Sequence, residues 1–469
     1  MTPAVSKSTL ISLDEALRMS RAQNVELNRK HLNPRVTRLM RLLGADVPVV
    51  RAAGSCFWDA NGRIFIDFLT GFGATSLGNN HPAVLSAVRR AEEGPAIIPG
   101  LNHLAAALAH NLVQLAPEGL TRVLFANSGT EVVEAAIKLS RAATGRTKLL
   151  ACRNCFHGRT TGALALMDRG DFRDAFEPLL PGVSHVDFGD AAALEEAIRD
   201  KSVAGFFVEA VQGEGGILVP PPGYLKSAKE ICERYGTLFV VDEVQAGLGR
   251  TGRLFAVDRE GVRPDVLLLG KALGGGVAPI SAILTSETIF RAAAGGTARS
   301  PFQTPTFGSN ARSCAAGLAT LEVLVDEHLA ERAEHVGSYL LERLQMLQSK
   351  HPAIVAVRGQ GLMIGIEFAR PAGAVAKIAG WNGKARKGLL TKMVIMEMFM
   401  AHNVLTAYTL NNPSVLRLEP PLNIELDDVD YVVDALDSSL TTLAGPVRGI
   451  VHSCGTVVAR TLTRAPAAH

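Results

Sequence analysis

The sequence has few of the features that mark membrane, secreted or nucleic-acid-binding proteins. No run of about 18 apolar residues is present, so no membrane-spanning helix is predicted. The 469 residues include only six scattered cysteines, which do not form a disulfide framework and favour a reducing cytoplasm. Basic and acidic residues nearly balance, 48 against 45, so no charge excess indicates nucleic acid or an anionic membrane as a partner.

Other signals are absent as well. The first 21 residues contain scattered polar and charged side chains and no apolar core, so no secretory leader is expected. Cys152 and Cys155 form a C-x-x-C pair without the further ligands of a zinc site, so we expect no metal. With 47% hydrophobic and 20% charged residues, the chain has a globular composition and the length of two or more domains.

Apolar strands alternate with polar loops and amphipathic helices through the middle of the chain. The predicted strands cover residues 123–126, 148–151, 205–208, 238–241 and 266–269. This alternation predicts an α/β fold with a mostly parallel sheet. We expect a large domain over 85–330, a smaller α+β domain built from 1–84 and 331–445, and a tail at 446–469.

The flanking segments carry local patterns of their own. Residues 12–43 are predicted to be helical and amphipathic. Residues 56–68 predict a hairpin whose turn is Asp-Ala-Asn-Gly at 59–62. Residues 321–350 predict one long helix, and a further helix is expected over 427–443.

Asp242 and Lys271 each follow one of the predicted buried strands. The carboxyl ends of parallel strands are where open α/β sheets bind ligands. An ion pair is the alternative interpretation, but the Gln245 amide beside Asp242 and the glycines at 274–276 after Lys271 count against it. A carboxylate for a pyridine nitrogen and a lysine that forms a Schiff base are what pyridoxal phosphate requires.

A glycine motif at 247–252 offers a competing interpretation. It matches G-x-G-x-x-G and follows a strand. However, residues 242–246 separate it from the strand end, and no strand ending in an acid follows about 20 residues later. A nicotinamide site is therefore not favoured.

Weaker signals lie after the neighbouring strands. Residues 128–130 stand where a strand turns into a helix and could cradle an anion, although Ser128 and Glu131 also fit an ordinary capping box. Phe156 could cover a planar cofactor or belong to the core. Glu209 and Glu214 lie on a glycine-rich stretch, for which a solvated loop is the alternative. All would lie at one edge of one sheet.

These motifs resemble those of class-III pyridoxal-phosphate aminotransferases of fold type I, over residues 57–436. The resemblance rests on NSGTE at 127–131, FHGRT at 156–160, QGEGG at 212–216, DEVQ at 242–245, KALGGG at 271–276 and TFG at 306–308. It implies a fold-type-I transferase that uses pyridoxal 5'-phosphate, as a homodimer with shared active sites or a tetramer.

The resemblance also implies a role for individual residues. Lys271 looks like the Schiff-base lysine, Asp242 like the partner of the ring nitrogen, and Gln245 like the contact to the ring hydroxyl. The implied cofactor-binding set is Ser128, Gly129, Thr130, Phe156, His157, Glu209, Asp242, Val244, Gln245, Lys271 and Thr306, the last from across the dimer interface. The implied substrate-binding set is Arg417, which holds an α-carboxylate, Glu214, which masks it, and Phe72.

Within this class the chain resembles putrescine aminotransferases at 33–34, 220–225, 409–412 and 417–422. This implies ping-pong transfer of an amino group between a terminal (omega) amine or aldehyde and glutamate or 2-oxoglutarate. Ala210 and Ala246 depart from the usual proline and threonine. Alternatives are an acylornithine or ornithine aminotransferase, amination of a larger aldehyde, a racemase or aminomutase, and a non-catalytic cofactor-binding protein.

Overall fold

The computed structural model describes residues 10–168, 170, 173–299, 301–369 and 388–444. The expected tail, 446–469, lies outside these residues. In the described part, no helix has both the length and the apolar character needed to cross a bilayer. The same part contains no group of three or more His, Cys, Asp or Glu side chains arranged to hold a metal ion.

The described residues form α-helices, β-strands and three short 3-10 helices. The α-helices are α1 Leu13–Leu17, α2 Arg21–His31, α3 Pro34–Leu43, α4 Thr70–Gly73, α5 Pro82–Ala91, α6 His103–Leu115, α7 Gly129–Thr144, α8 Thr161–Ala165, α9 Ala191–Ile198, α10 Tyr224–Tyr235, α11 Glu287–Ala294, α12 Ala311–Asp326, α13 Leu329–Lys350, α14 Leu389–Ala401 and α15 Leu426–Leu443. The strands are β1 Val49–Ala53, β2 Cys56–Asp59, β3 Ile64–Asp67, β4 Arg122–Ala126, β5 Lys148–Cys152, β6 Val183–Val186, β7 Val203–Glu209, β8 Leu238–Asp242, β9 Val266–Leu269, β10 Ser281–Thr285, β11 Ile354–Gln360, β12 Met363–Phe368, β13 Val404–Leu405, β14 Ala407–Tyr408 and β15 Val415–Leu418. The 3-10 helices are Asp174–Phe176, Ala256–Glu260 and Lys271–Gly274.

A seven-stranded sheet in the order β4-β10-β9-β8-β7-β5-β6 forms the centre of the fold. The strands from β9 to β6 are all parallel, which confirms the predicted parallel sheet. Strand β10, which was not predicted, runs antiparallel between β4 and β9. Strands β7, β8 and β9 are almost entirely buried, as expected for apolar runs in a sheet covered on both faces.

Two four-stranded sheets flank the central one, in the orders β1-β2-β3-β13 and β11-β12-β15-β14. Strands β2 and β3 form the predicted antiparallel hairpin. Strand β13, from the C-terminal part of the chain, pairs in parallel with β3. Segments from the N-terminal and C-terminal parts of the chain therefore share a sheet, while the exact domain limits stay a prediction.

The prediction that residues 12–43 are helical is confirmed, whereas the prediction of one long helix over 321–350 was wrong in its continuity. The stretch 12–43 forms three helices, because Ser20 caps a new helix in a box with Gln23, and Pro34 can only occupy a first turn. The stretch 321–350 is interrupted between α12 and α13, where His328 adopts a left-handed conformation with φ 50°. Local side-chain caps and one backbone reversal thus override a continuous helical pattern.

Candidate active site

The predicted site residues converge at the carboxyl edge of the central sheet. Glu209 and Asp242 end adjacent strands and are direct partners in the β7–β8 register. Lys271 follows β9, the next strand, in a left-handed conformation with φ 41°. Because the three strands are parallel and adjacent, two carboxylates and an amine face one region, as the sequence predicted.

Asp242 is held by two hydrogen bonds. Its Oδ2 lies 2.8 Å from Nδ1 of His157, and its Oδ1 accepts from the backbone N–H of Val244 at 3.0 Å. Burial acts to lower the pKa of His157, but the hydrogen bond and charge of Asp242 outweigh it and raise that pKa. The buried Nε2 of His157 has no hydrogen-bond partner in the described residues. The pair thus fixes a carboxylate at the strand end.

Glu209 is buried, so the alternative of a solvated loop is wrong for it. Its carboxylate accepts from the backbone N–H groups of Phe156 at 2.8 Å and Gly213 at 3.0 Å. Burial raises the pKa of Glu209 to about 7, against the opposing charge of His157. The Glu209 carboxylate is therefore hydrogen-bonded both to the loop after β5 and to the glycine-rich loop after β7.

A cavity of about 200 Å³ lies between these groups. Its lining consists of Gly129, Thr130, Phe156, His157, Gly158, Glu209, Val211, Asp242, Val244, Gln245, Ala246 and Lys271. A neighbouring cavity of about 340 Å³ shares Gly129 and Lys271 and is also lined by Ser128. A larger one, about 570 Å³, lies between α5, α6 and α12, away from the predicted residues.

The start of α7 forms one wall, and the predicted capping box there is wrong. Ser128 is the N-cap residue but makes no side-chain capping bond, and Glu131 instead accepts from the backbone N–H of Asn127 at 2.8 Å. The first N–H groups of α7 therefore stay available to an anion. A Cβ on Gly129 would lie 2.9 Å from Val244, so glycine is required for this close approach.

A second cluster of side chains in the site is centred on Arg417 of β15. Arg417 is fully buried, and its Nη2 lies 2.6 Å from Oε2 of Glu214. The guanidinium also lies over the ring of Phe72, with Cζ 5.2 Å from the centroid. None of its three nitrogens has a well-oriented hydrogen-bond acceptor among the described residues. Arg417, Glu214 and Phe72, predicted as one substrate-binding set, are therefore brought together.

The amine of Lys271 and the side-chain amide of Gln245 both interact with Glu419. Burial lowers the pKa of Lys271, although the negative charge of Glu419 opposes the shift. Gln245 donates from Nε2 to both carboxylate oxygens of Glu419 at 3.1 Å and to the carbonyl of Phe72 at 3.2 Å. Glu419 itself was not predicted as a site residue, because a glutamate after a short strand gives no sign of burial.

Thr306 stands apart from the others. It is exposed in the loop before α12 and does not line the cavity that contains Lys271. Its neighbour Phe307 is 57% exposed, and Leu101 is completely exposed. The role predicted for Thr306 would need a second copy of the chain and stays a prediction.

Comparison with known proteins identifies the family. The profile of the aminotransferase class-III family matches residues 43–440. The ornithine aminotransferase from Toxoplasma gondii ME49 is 32% identical, covers 92% of this chain and 99% of its own, and superposes with a TM-score of 0.81. The acetylornithine aminotransferase from Elizabethkingia anophelis is 32% identical, covers 90% and 99%, with a TM-score of 0.74. An amine transaminase from an uncultivated Pseudomonas species, PLP-bound, is 28% identical, covers 84% and 94%, with a TM-score of 0.75.

Proposed function

This chain belongs to the class-III aminotransferases, which have fold type I and use pyridoxal 5'-phosphate, and from that premise we propose its reaction. The reaction moves an amino group between a terminal amine, a putrescine-like diamine in the first instance, and the glutamate/2-oxoglutarate pair. We place it in the cytoplasm, which suits the free, buried thiols of Cys152 and Cys155.

The residues at the sheet edge fit this cofactor. The unpaired start of α7, with Ser128, Gly129 and Thr130, would hold the phosphate. Asp242, fixed by His157, would hold the ring nitrogen. Phe156 and Val244 line the cavity where a flat ring would lie. Gly129 leaves space that a side chain would fill.

The proposed chemistry assigns one proton-transfer group. When bound, pyridoxal phosphate stabilises the negative charge that develops on the substrate carbon. Lys271 would take up the proton from that carbon at Nζ as general base and, as general acid, would deliver it to the exocyclic carbon of the bound cofactor, so that the amino group can stay on the cofactor. Its lowered pKa, caused by burial, favours the unprotonated amine needed for the first role.

The observation that carries the substrate proposal is the Arg417–Glu214 pair. A buried guanidinium that has no well-oriented acceptor among the described residues can bind the α-carboxylate of glutamate in bidentate fashion once Glu214 moves away. A terminal amine brings no such carboxylate, and the existing 2.6 Å contact then keeps Arg417 neutralised. One site can thereby accept both kinds of donor in turn.

A panel of donors tests the proposal. Putrescine, cadaverine, ornithine, N-acetylornithine and γ-aminobutyrate should each be offered with 2-oxoglutarate, and glutamate formation measured. We expect the largest kcat/KM for putrescine or another diamine. Preference for ornithine or N-acetylornithine would instead favour the second candidate, which the similarity to ornithine and acetylornithine aminotransferases supports. Turnover of none of the five would reject the proposed donor class.

We also propose that two copies share their active sites. The exposure of Thr306, Phe307 and Leu101 near the start of α12 and before α6 supports a surface that a second copy covers. Light scattering over a range of protein concentrations would reveal a monomer if this part of the proposal is wrong.

A further inference from the structure

Glu419 is a fully buried carboxylate at the edge of the site. Its backbone is fixed on both sides: its N–H donates to the carbonyl of Phe68 at 2.8 Å, and its carbonyl accepts from the hydroxyl of Thr70 at 2.7 Å. Its side chain meets Gln245, which lines the cavity that contains Lys271. The carboxylate therefore lies at a fixed position beside Gln245, close enough for its charge to act on Lys271.

The hydrogen-bonding capacity of Glu419 is largely unused. An ionised carboxylate has about four acceptor positions. Within the described residues, only Nε2 of Gln245 donates to it, and that amide also donates to the carbonyl of Phe72. A buried charge normally requires fuller compensation than one shared amide. Glu419 can therefore accept about two further hydrogen bonds.

Two carboxylates lie close to Arg417. Its guanidinium lies 2.6 Å from Glu214 and 3.7 Å from Glu419, so two carboxylates share one positive charge. The nearer carboxylate, Glu214, makes the closer ion pair. Glu419 is also the charged group that acts most strongly on two other buried cations, Lys271 and Arg250.

We propose that Glu419 binds the ammonium group of the amine donor as that group approaches Lys271, and so favours donors without a carboxylate beside the amine. A primary ammonium supplies three N–H donors, which match the open acceptor positions of the Glu419 carboxylate. An adjacent substrate carboxylate would be repelled by the same group. This inference rests on the proposed transaminase reaction and identifies a specificity-determining residue within it.

The test compares two donors in the full-length holoenzyme carrying Glu419→Gln. Stopped-flow absorbance of the bound cofactor should show the apparent Kd for putrescine rising 10-fold or more, with little change in the limiting rate. The apparent Kd for glutamate should change less than threefold, or fall, because a repelling charge has been removed. Glu419→Asp, which keeps the charge, should recover part of the putrescine binding.

Two further measurements separate recognition from structural support. Glu425→Gln makes the same chemical change six positions later, at a side chain that is 77% exposed. This control should change the apparent Kd of neither putrescine nor glutamate. In the inactive Lys271→Ala background, calorimetric titration with putrescine should show binding weakened about as much by Glu419→Gln as in the stopped-flow experiment.

The outcomes that overturn the inference are distinct from failure of the reaction itself. Equal losses with putrescine and glutamate, or an unchanged ratio between them, would reject the role of Glu419. A wild-type enzyme that accepts glutamate but none of the amines would reject the proposed donor class instead.

Discussion

Replacing Arg417 by alanine should separate the two halves of the proposed reaction. The guanidinium is buried, pairs with Glu214 at 2.6 Å and lies over the Phe72 ring, yet none of its nitrogens has a well-oriented acceptor in the described part of the chain. It is thus positioned to exchange one carboxylate for another. The variant removes the only guanidinium that contacts Glu214 in the described residues.

The size of the effect follows from the burial. Loss of one partner of a buried, hydrogen-bonded charge pair costs about 2–5 kcal/mol. For the glutamate half-reaction this corresponds to a loss of about 30-fold to 4,000-fold. The putrescine half-reaction, which offers no α-carboxylate, should lose less than about tenfold, from the unpaired Glu214 that remains. That carboxylate keeps one hydrogen bond, from the N–H of Leu410 at 2.7 Å.

Stopped-flow half-reactions with each donor provide the measurement. Arg358→Ala is a matched control, because Arg358 donates to the carbonyl of Gly216 on the same glycine-rich loop but does not line the cavity. Its effect on the two donors should be equal. Equal losses in Arg417→Ala would mean that this residue supports the fold, or that the true amine substrate carries its own carboxylate.

Three other outcomes are expected. Lys271→Ala should abolish turnover without unfolding, and borohydride reduction followed by peptide mapping should label Lys271 in the wild type; a label on another lysine contradicts its role. Mixing Lys271→Ala chains with inactive Thr306→Ala chains should restore some activity through hybrid sites, which a fully active monomer would exclude. Burial raises the pKa of Glu243 to about 8, so the folded state binds the extra proton. The free energy of unfolding should therefore fall between about pH 5 and pH 8, by at most about 1.4 kcal/mol per unit, and Glu243→Gln should flatten that slope in denaturant titrations.

The positions of Asp242 and Lys271 could be predicted from the sequence because each depends on local information. A short apolar run bounded by glycine or charge is typical of a strand buried on both faces, and the residue after such a strand lies at the sheet edge. The hairpin of β2 and β3 is local in the same sense, since its turn residues favour the reversal that they form. The family resemblance added Arg417, Glu214 and Phe72.

Tertiary structure alone decided the contacts between distant segments. The hydrogen bond between His157 and Asp242 joins residues that are 85 positions apart in the sequence, and the hydrogen bond from Gln245 to Glu419 joins residues that are 174 positions apart. The sequence contains the glutamate but no periodicity or turn that indicates its burial, because burial depends on which strands become neighbours. Strand order is set by packing of the whole chain, so the sequence specified the reactive groups and the fold determined which charges surround them.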